Sequence, residues 1–350
     1  MKNYKKMIFI MLGVILGLTL LMSASTKAAP AAAPEKTITL TYASAWPPAH
    51  PFSIPDVAWI EKVEKESGGR LKIKPYWAGS LVGLPAAYTE LVNGVADIAL
   101  FFSAFTRAGF NLDKMITYAY FGVSNVDTAR RIFHELWAKY PELKKEYAGV
   151  KVLATHSITP YNVGTVKRPI RKLEDFGGLS LKATQAHIKV LAKLGAEGIA
   201  IPMGETYLAM QKNTIGGALF PPEALSSHKF AEVVKYYTLL NMATGPNPHR
   251  GMNWASWNKL PPDLQKVLEN NIEWWGKGID HEMVKTDEVG MQFGIKEGTE
   301  IINLPPEELG KLYKILDSVV LEEAEKLKAK GFHNAVKIYN YTRGLVEKYK

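Results

Sequence analysis

TITLTYASAWPPAHPFSIPDVAWIEKVEKESGGRLKIKPYWAGSLVGLPAAYTELVNGVADIALFF, residues 37–102, carries the pattern on which the fold turns. Its opening alternates Thr, Ile, Thr, Leu, Thr and Tyr, the period of a strand with one covered face, over residues 37–43. A loop follows at residues 46–51, where each proline keeps the residue before it out of the helical region. Val57, Ile60 and Val63 then share one face of a helix over residues 54–67, which Gly68-Gly69 stops. Residues 71–76 read as a second strand and 85–93 as a second helix, ended by Gly94. Residues 96–102, apolar apart from Asp97, read as a buried third strand. Strand, helix, strand, helix, strand is an α/β unit.

The pattern restarts downstream. An amphipathic helix at residues 125–139 and a strand at 150–155 close a first α/β domain over residues 37–155. Strands at 161–166, 179–183 and 217–220, with helices at 188–194 and 205–212, build a second over residues 156–245. A strand at 236–244 is placed to cross back to the first domain. Residues 246–350 read as mostly helical, over 262–277, 280–295, 306–330 and 334–349. They complete the first domain in part and brace both. No tandem repeat is present.

A length of 350 residues suits two domains, and 47% hydrophobic content supports real cores. The sequence has no cysteine. That excludes a disulfide framework, a thiol nucleophile, thiolate metal sites and a lipidated cysteine behind a leader. The first residues read as such a leader. Lys2, Lys5 and Lys6 precede an apolar stretch over residues 7–22, and Thr26-Lys27-Ala28 fits a small-x-small cleavage site. We expect residues 1–28 to be a cleaved secretory signal peptide and residues 29–36 a flexible Ala/Pro spacer. The leader holds four lysines and no acid, so without it the formal charge falls from +9 to +5. The remaining basic residues are interleaved with glutamates, as in Glu61-Lys62-Val63-Glu64-Lys65-Glu66, the pattern of a solvated helix face. Zinc-finger spacing and aromatic RNA-binding signatures are missing, so no nucleic-acid partner is expected. No further apolar run is long enough to span a bilayer.

No catalytic constellation stands out. The eight histidines are dispersed, without the i,i+3 or i,i+4 pairing of a metal site. There is no G-x-S-x-G, Walker loop or G-x-G-x-x-G. Neither an enzyme activity, a metal nor a cofactor is expected. What does recur is an aromatic residue at the end of a strand: Trp46 after the first, Phe101 and Phe102 on the third, Phe220 before Pro221-Pro222. Ligands of open α/β sheets bind outside the carboxyl ends of strands. Each aromatic alone is more often core, but several at equivalent places mark a lined cleft.

The chain resembles the substrate-binding proteins of TRAP (tripartite ATP-independent periplasmic) transporters, of the DctP type, from about residue 37 to 340. The resemblance is carried by Gly68-Gly69-Arg70-Leu71-Lys72-Ile73, by Leu91-Val92-Asn93-Gly94-Val95-Ala96-Asp97-Ile98 and by Arg168-Pro169-Ile170 running on to Leu173-Glu174-Asp175-Phe176-Gly177-Gly178-Leu179-Ser180-Leu181-Lys182. Glu205-Thr206-Tyr207-Leu208-Ala209-Met210-Gln211, Lys235-Tyr236 and Leu260-Pro261-Pro262-Asp263-Leu264-Gln265 complete it. It implies an α/β two-domain clam of the periplasmic-binding-protein kind, with a hinge, one ligand and a long bracing helix. It implies a small organic ligand, TRAP-type membrane permease subunits as partners, and a monomeric, periplasmic, non-enzymatic role.

In that family an arginine grips the ligand carboxylate through two parallel hydrogen bonds. Lys182 stands in its place here, a point charge without the fork. The family's aspartate is Gly216, the asparagine after it is Phe220, and Phe102 stands where some members carry a polar contact. The expected pocket is therefore more apolar, suited to a carboxylate with an aromatic or alicyclic body. Its expected lining is Lys182, Asn162, Trp46, Phe102, Ser103, Thr184, Phe220 and Pro221. A ligand without a carboxylate, an exposed Lys182, and a sensor role signalling to a membrane receptor stay open on sequence grounds.

Export with cleavage predicts a mature protein that begins at Ala29. Intact-mass measurement of the exported chain checks this, and retention of Met1 would contradict it.

Overall fold

The computed structural model describes residues 36–123, 125–246 and 248–349, apart from the side chains of Gln185 and Ala186. The expected leader and all of the spacer but Lys36 lie outside the described residues.

Along the chain, strand β1 (Ile38–Ala43) leads into helix α1 (Ile54–Glu66), β2 (Leu71–Tyr76), α2 (Ala87–Val92) and β3 (Ile98–Phe102). Then come α3 (Asn111–Thr117), α4 (Val126–Lys139), α5 (Pro141–Lys145) and β4 (Val150–Thr155). Asn125 caps α4, its side chain accepting from the amides of Asp127 and Thr128. The chain next forms β5 (Tyr161–Thr165), β6 (Ser180–Lys182), α6 (Gln185–Lys193), β7 (Glu197–Ile199), α7 (Met203–Gln211), β8 (Gly217–Phe220), α8 (Ala224–Ser227) and β9 (Tyr236–Met242). It closes with β10 (Pro248–Asn253), α9 (Trp254–Asn258), α10 (Pro262–Asn270), α11 (Ile272–Lys296), β11 (Glu300–Asn303), α12 (Pro306–Ala329) and α13 (Ala335–Tyr349).

These strands form two sheets. The first has the order β2-β1-β3-β10-β4 and the second β11-β9-β5-β8-β6-β7. Each sheet is the floor of one lobe. The reading of β9 as the strand that crosses back needs correction. β9 stays in the second sheet, antiparallel to β5 and parallel to β11. The returning strand is β10, which lies antiparallel between β3 and β4. Its sequence, PHRGMN, does not alternate, yet all six residues are buried. A central strand covered on both faces loses the period-2 signal.

A charge inside that strand is held by a buried network. Arg250 is fully buried, as is Asp56 on α1. The guanidinium grips the carboxylate with Nε on Oδ1 at 3.0 Å and Nη2 on Oδ2 at 3.1 Å. Trp275 Nε1 donates to Oδ1 at 2.9 Å, and the Tyr42 hydroxyl donates to Oδ2. Burial pushes the Asp56 carboxyl up, and Arg250 together with these donors pulls it back. The Trp275 indole stacks on Trp59 at 3.8 Å. One ion pair thus joins β10, β1, α1 and α11.

Two helices serve both lobes. α11 starts against the first lobe through Trp275 and Ile279 and ends against the loop after β8. A Cβ at Gly290 would meet the Pro222 carbonyl at 2.1 Å, so glycine is what permits that approach. α12 gives Leu312 and Leu316 to the second lobe's core, and Val320, Ala324 and Leu327 to the first's. The break expected near residue 278 falls instead at Asn271. Its amide donates to Glu66 and to the Val267 carbonyl.

Arg250→Met would leave the Asp56 carboxylate buried without its cation. The expected loss is about 3–5 kcal/mol in urea unfolding. Pairing it with Asp56→Leu is expected to restore most of that.

Candidate ligand-binding site

Strands β1, β3 and β4 of the first lobe end on a cluster of rings. The loop after β1, stiffened by Pro47, Pro48 and Pro51, holds Trp46 with its ring 5.4 Å from Phe102 and 5.3 Å from Phe52. His50 packs at a tilt 5.5 Å from Trp46, and His156 lies 5.4 Å from Phe52. Arg250 fixes this wall from below. It donates to the Phe52 carbonyl at 2.7 Å and to His156 Nδ1 at 2.7 Å. Ser103, next to Phe102, is fully buried. Its hydroxyl faces the Asp113 carboxyl, which burial pushes up to about 7.

Lys182, at the end of β6, dominates the second lobe's side. It is 7% exposed, and its Nζ lies 3.6 Å from the Met203 sulfur. Among the described residues no carboxylate stands within ion-pairing distance of it. Burial alone pulls its pKa down to about 8. Two residues on, the Thr184 hydroxyl meets His187 Nδ1 at 3.1 Å. It also meets Tyr118 Oη, reaching over from the end of α3 in the first lobe, at 3.5 Å. The His187 ring stands edge-on to Tyr118 at 5.1 Å and Tyr161 at 5.2 Å. Burial and then the charge of Lys182 hold it neutral, with a pKa of about 3. His228, after α8, is lowered by burial and by Lys182. His50, in the first lobe's wall, is lowered to about 3 by burial and then by His228.

Of the expected lining residues, Trp46 and Phe102 meet in the first lobe's ring cluster, and Lys182 and Thr184 lie together on the second lobe, with Thr184 in contact with Tyr118 of the first. Ser103 lies behind Phe102, its hydroxyl turned to Asp113. Asn162 and Phe220 take up framework positions. Asn162 is 3% exposed. Its Oδ1 accepts from the amides of Leu240 and Asn241 at 2.8 and 3.0 Å, and its Nδ2 donates to Pro160 O and Tyr237 Oη. It bridges the irregular register between β5 and β9. The Phe220 ring packs on Phe230 and Tyr237 and covers Gly164, where a Cβ would meet it at 2.5 Å. Pro221 is buried at the start of the following loop.

Sequence reasoning missed His50, Phe52, Tyr118, Tyr161, His187, Met203 and His228. The histidines carry no local spacing because they come from three separate segments. Ser227 touches both His228 Nδ1, at 2.8 Å, and the Glu223 carboxylate. The serine is the central member, whereas an activated hydrolase needs the histidine between nucleophile and carboxylate. Among the described residues, the second lobe thus offers a buried cation without a counter-ion, and the first lobe a cluster of apolar rings.

The family described as bacterial extracellular solute-binding protein, family 7 (DctP), matches residues 42–327. Over 271 residues the chain is 26% identical to the sialic acid-binding periplasmic protein SiaP of Vibrio cholerae, spanning 74% of this chain and 82% of that one. A solved TRAP solute-binding protein of Rhodoferax ferrireducens, in complex with copurified benzoate, matches with a TM-score of 0.78 at 26% identity, over 89% of this chain and 98% of that chain. A TRAP solute-binding protein from a marine metagenome shares the fold, with a TM-score of 0.80 at 21% identity, over 89% of this chain and 99% of that one.

Asn162→Ala would strand two buried amides. It is expected to lower stability by about 2 kcal/mol in urea unfolding. An unchanged midpoint would remove Asn162 from the framework.

Proposed function

The chain belongs to family 7 of the bacterial extracellular solute-binding proteins, and from that premise we propose that its ligand is a monocarboxylate with an aromatic or alicyclic body, anchored on Lys182. As a TRAP solute-binding protein it captures a small organic molecule for transport. On our reading the mature chain works as a monomer outside the cytoplasmic membrane. It closes its lobes over the acid, performs no chemistry on it, and delivers it to membrane permease subunits.

One observation carries the ligand assignment: a lysine 7% exposed, with no carboxylate at ion-pairing distance among the described residues. A buried ammonium without a counter-ion is costly, and an incoming carboxylate relieves that cost. The Trp46, Phe52 and Phe102 rings favour a ligand body that is apolar and flat. The benzoate held by the Rhodoferax protein supports the same class. A lysine in this position has one consequence that an arginine would not have. Its proton can leave within an accessible pH range.

The pH dependence follows. The unfolded Lys182 titrates near 10.5 and the folded one at about 8. Between those values the unfolded chain binds more protons, so the unliganded protein gains stability as pH rises through that window. A bound carboxylate needs the ammonium, so its affinity is expected to be level below pH 8 and to fall above it. Calorimetric titration with benzoate from pH 6 to 10 checks this, with Lys182→Arg expected to flatten the profile. Lys182→Ala is expected to cost about 2 kcal/mol or more of binding, roughly a 30-fold loss, with the fold intact by thermal melting. If no carboxylate stabilises the wild-type protein, or if Lys182→Ala binds unchanged, the assignment fails.

A further inference from the structure

Beneath α12 lies a cavity of about 400 Å³ that both lobes share. α3 contributes Met115 and Tyr118, α6 contributes His187 and Val190, and α12 covers them with Leu316 and Val319. A volume of this size falls within the range of ligand pockets, about 300–1,000 Å³. Of the aromatic and lysine region described above, only Tyr118 and His187 line it.

The cavity and that region meet at a common wall. Tyr118 and His187 line the cavity, and both contact the Thr184 hydroxyl, two residues beyond Lys182. His187 also feels the Lys182 charge directly. Two residues of extended chain separate Lys182 from Thr184, roughly 7 Å, so a molecule anchored at Lys182 need be only a few bonds long to reach this wall. His187 is 2% exposed, and its Nδ1 is engaged by Thr184. Its other ring nitrogen has no hydrogen-bond partner among the described residues. The space is mainly apolar. Of the charged side chains that line it, Lys189 is paired with Glu323 at 3.0 Å and Lys114 donates to the Thr106 carbonyl at 2.7 Å, so what remains for a ligand is complementary to a tail that carries no charge.

We propose that this cavity is a second compartment of the ligand site, taking the apolar tail of an elongated acid whose carboxylate is held at Lys182. The inference rests on the Lys182 reading and narrows the substrate class. The preferred ligand is an arylalkanoate or similar extended monocarboxylate, longer than benzoate. Its tail bridges α3 of one lobe, α6 of the other and the helix that spans them.

The test is a series of ω-phenylalkanoates, from phenylacetate to 6-phenylhexanoate, titrated calorimetrically into the full mature protein. In the wild type, affinity is expected to rise by about fourfold per added methylene. Val190→Trp, which fills the cavity from α6, is expected to abolish that rise while phenylacetate binds as before. Val319→Phe provides the same obstruction from α12 should the first variant not fold, as judged by thermal melting. A wild-type affinity that does not increase with length, or an increase that survives both substitutions, overturns the second compartment. Lys182→Ala separates the two ideas. Loss of all the acids in that variant with a persistent length dependence in both cavity variants sinks the compartment alone. Unaltered binding in Lys182→Ala with a length dependence that Val190→Trp removes sinks the anchor alone.

Discussion

The buried pair of Arg250 and Asp56 is the interaction on which the rest of the molecule depends. A guanidinium placed in the middle of a sheet is tolerable only if its donors are used. Here they are used on three different parts of the chain: Asp56 on α1, the Phe52 carbonyl and His156 after β4. The first sheet, the helix on its face and the aromatic wall of the cleft are thereby tied to one planar group. A side chain with a single donor direction could not substitute for it.

That network also separates what could be read in the sequence from what could not. β1, β2 and α1 were legible because each has one wet face, so their apolar residues repeat with the period of the element. β10 was not, because PHRGMN is covered on both faces and carries its charge inward. No local pattern announces a strand whose most polar residue is fully buried; only the partner, Asp56, explains it, and that partner lies 194 residues away. The long helices were legible in extent but not in their join. A break was expected near residue 278, whereas α11 runs through that point and the helices divide at Asn271, whose side chain bonds Glu66.

The cleft divides along the same line. Lys182 could be located from its motif, and Trp46 and Phe102 from their places at strand ends. Phe220 also sits at such a place, with Asn162 opposite it, but their side chains turn into the second lobe. Asn162 supplies hydrogen bonds that the β5–β9 ladder lacks at its irregular register, and Phe220 covers a glycine. Residue type and position do not say which way a side chain faces; the opposing strand does. His50, His187 and His228 show the converse, since they come from three separate segments and no local spacing marks them.

The strand order has a further consequence, for the sequence of events by which the molecule is made. β10 lies between β3 and β4, so the first sheet stays split until Asn253 has emerged. By then every strand of the second sheet except β11 is already available. The lobe that begins first is therefore finished late, against the usual tendency of amino-terminal domains to fold first during synthesis. A chain built in this order remains without its central strand, and without the arginine that locks it, for most of its passage off the ribosome. Such a chain is threadable for longer than one whose first lobe closed on its own.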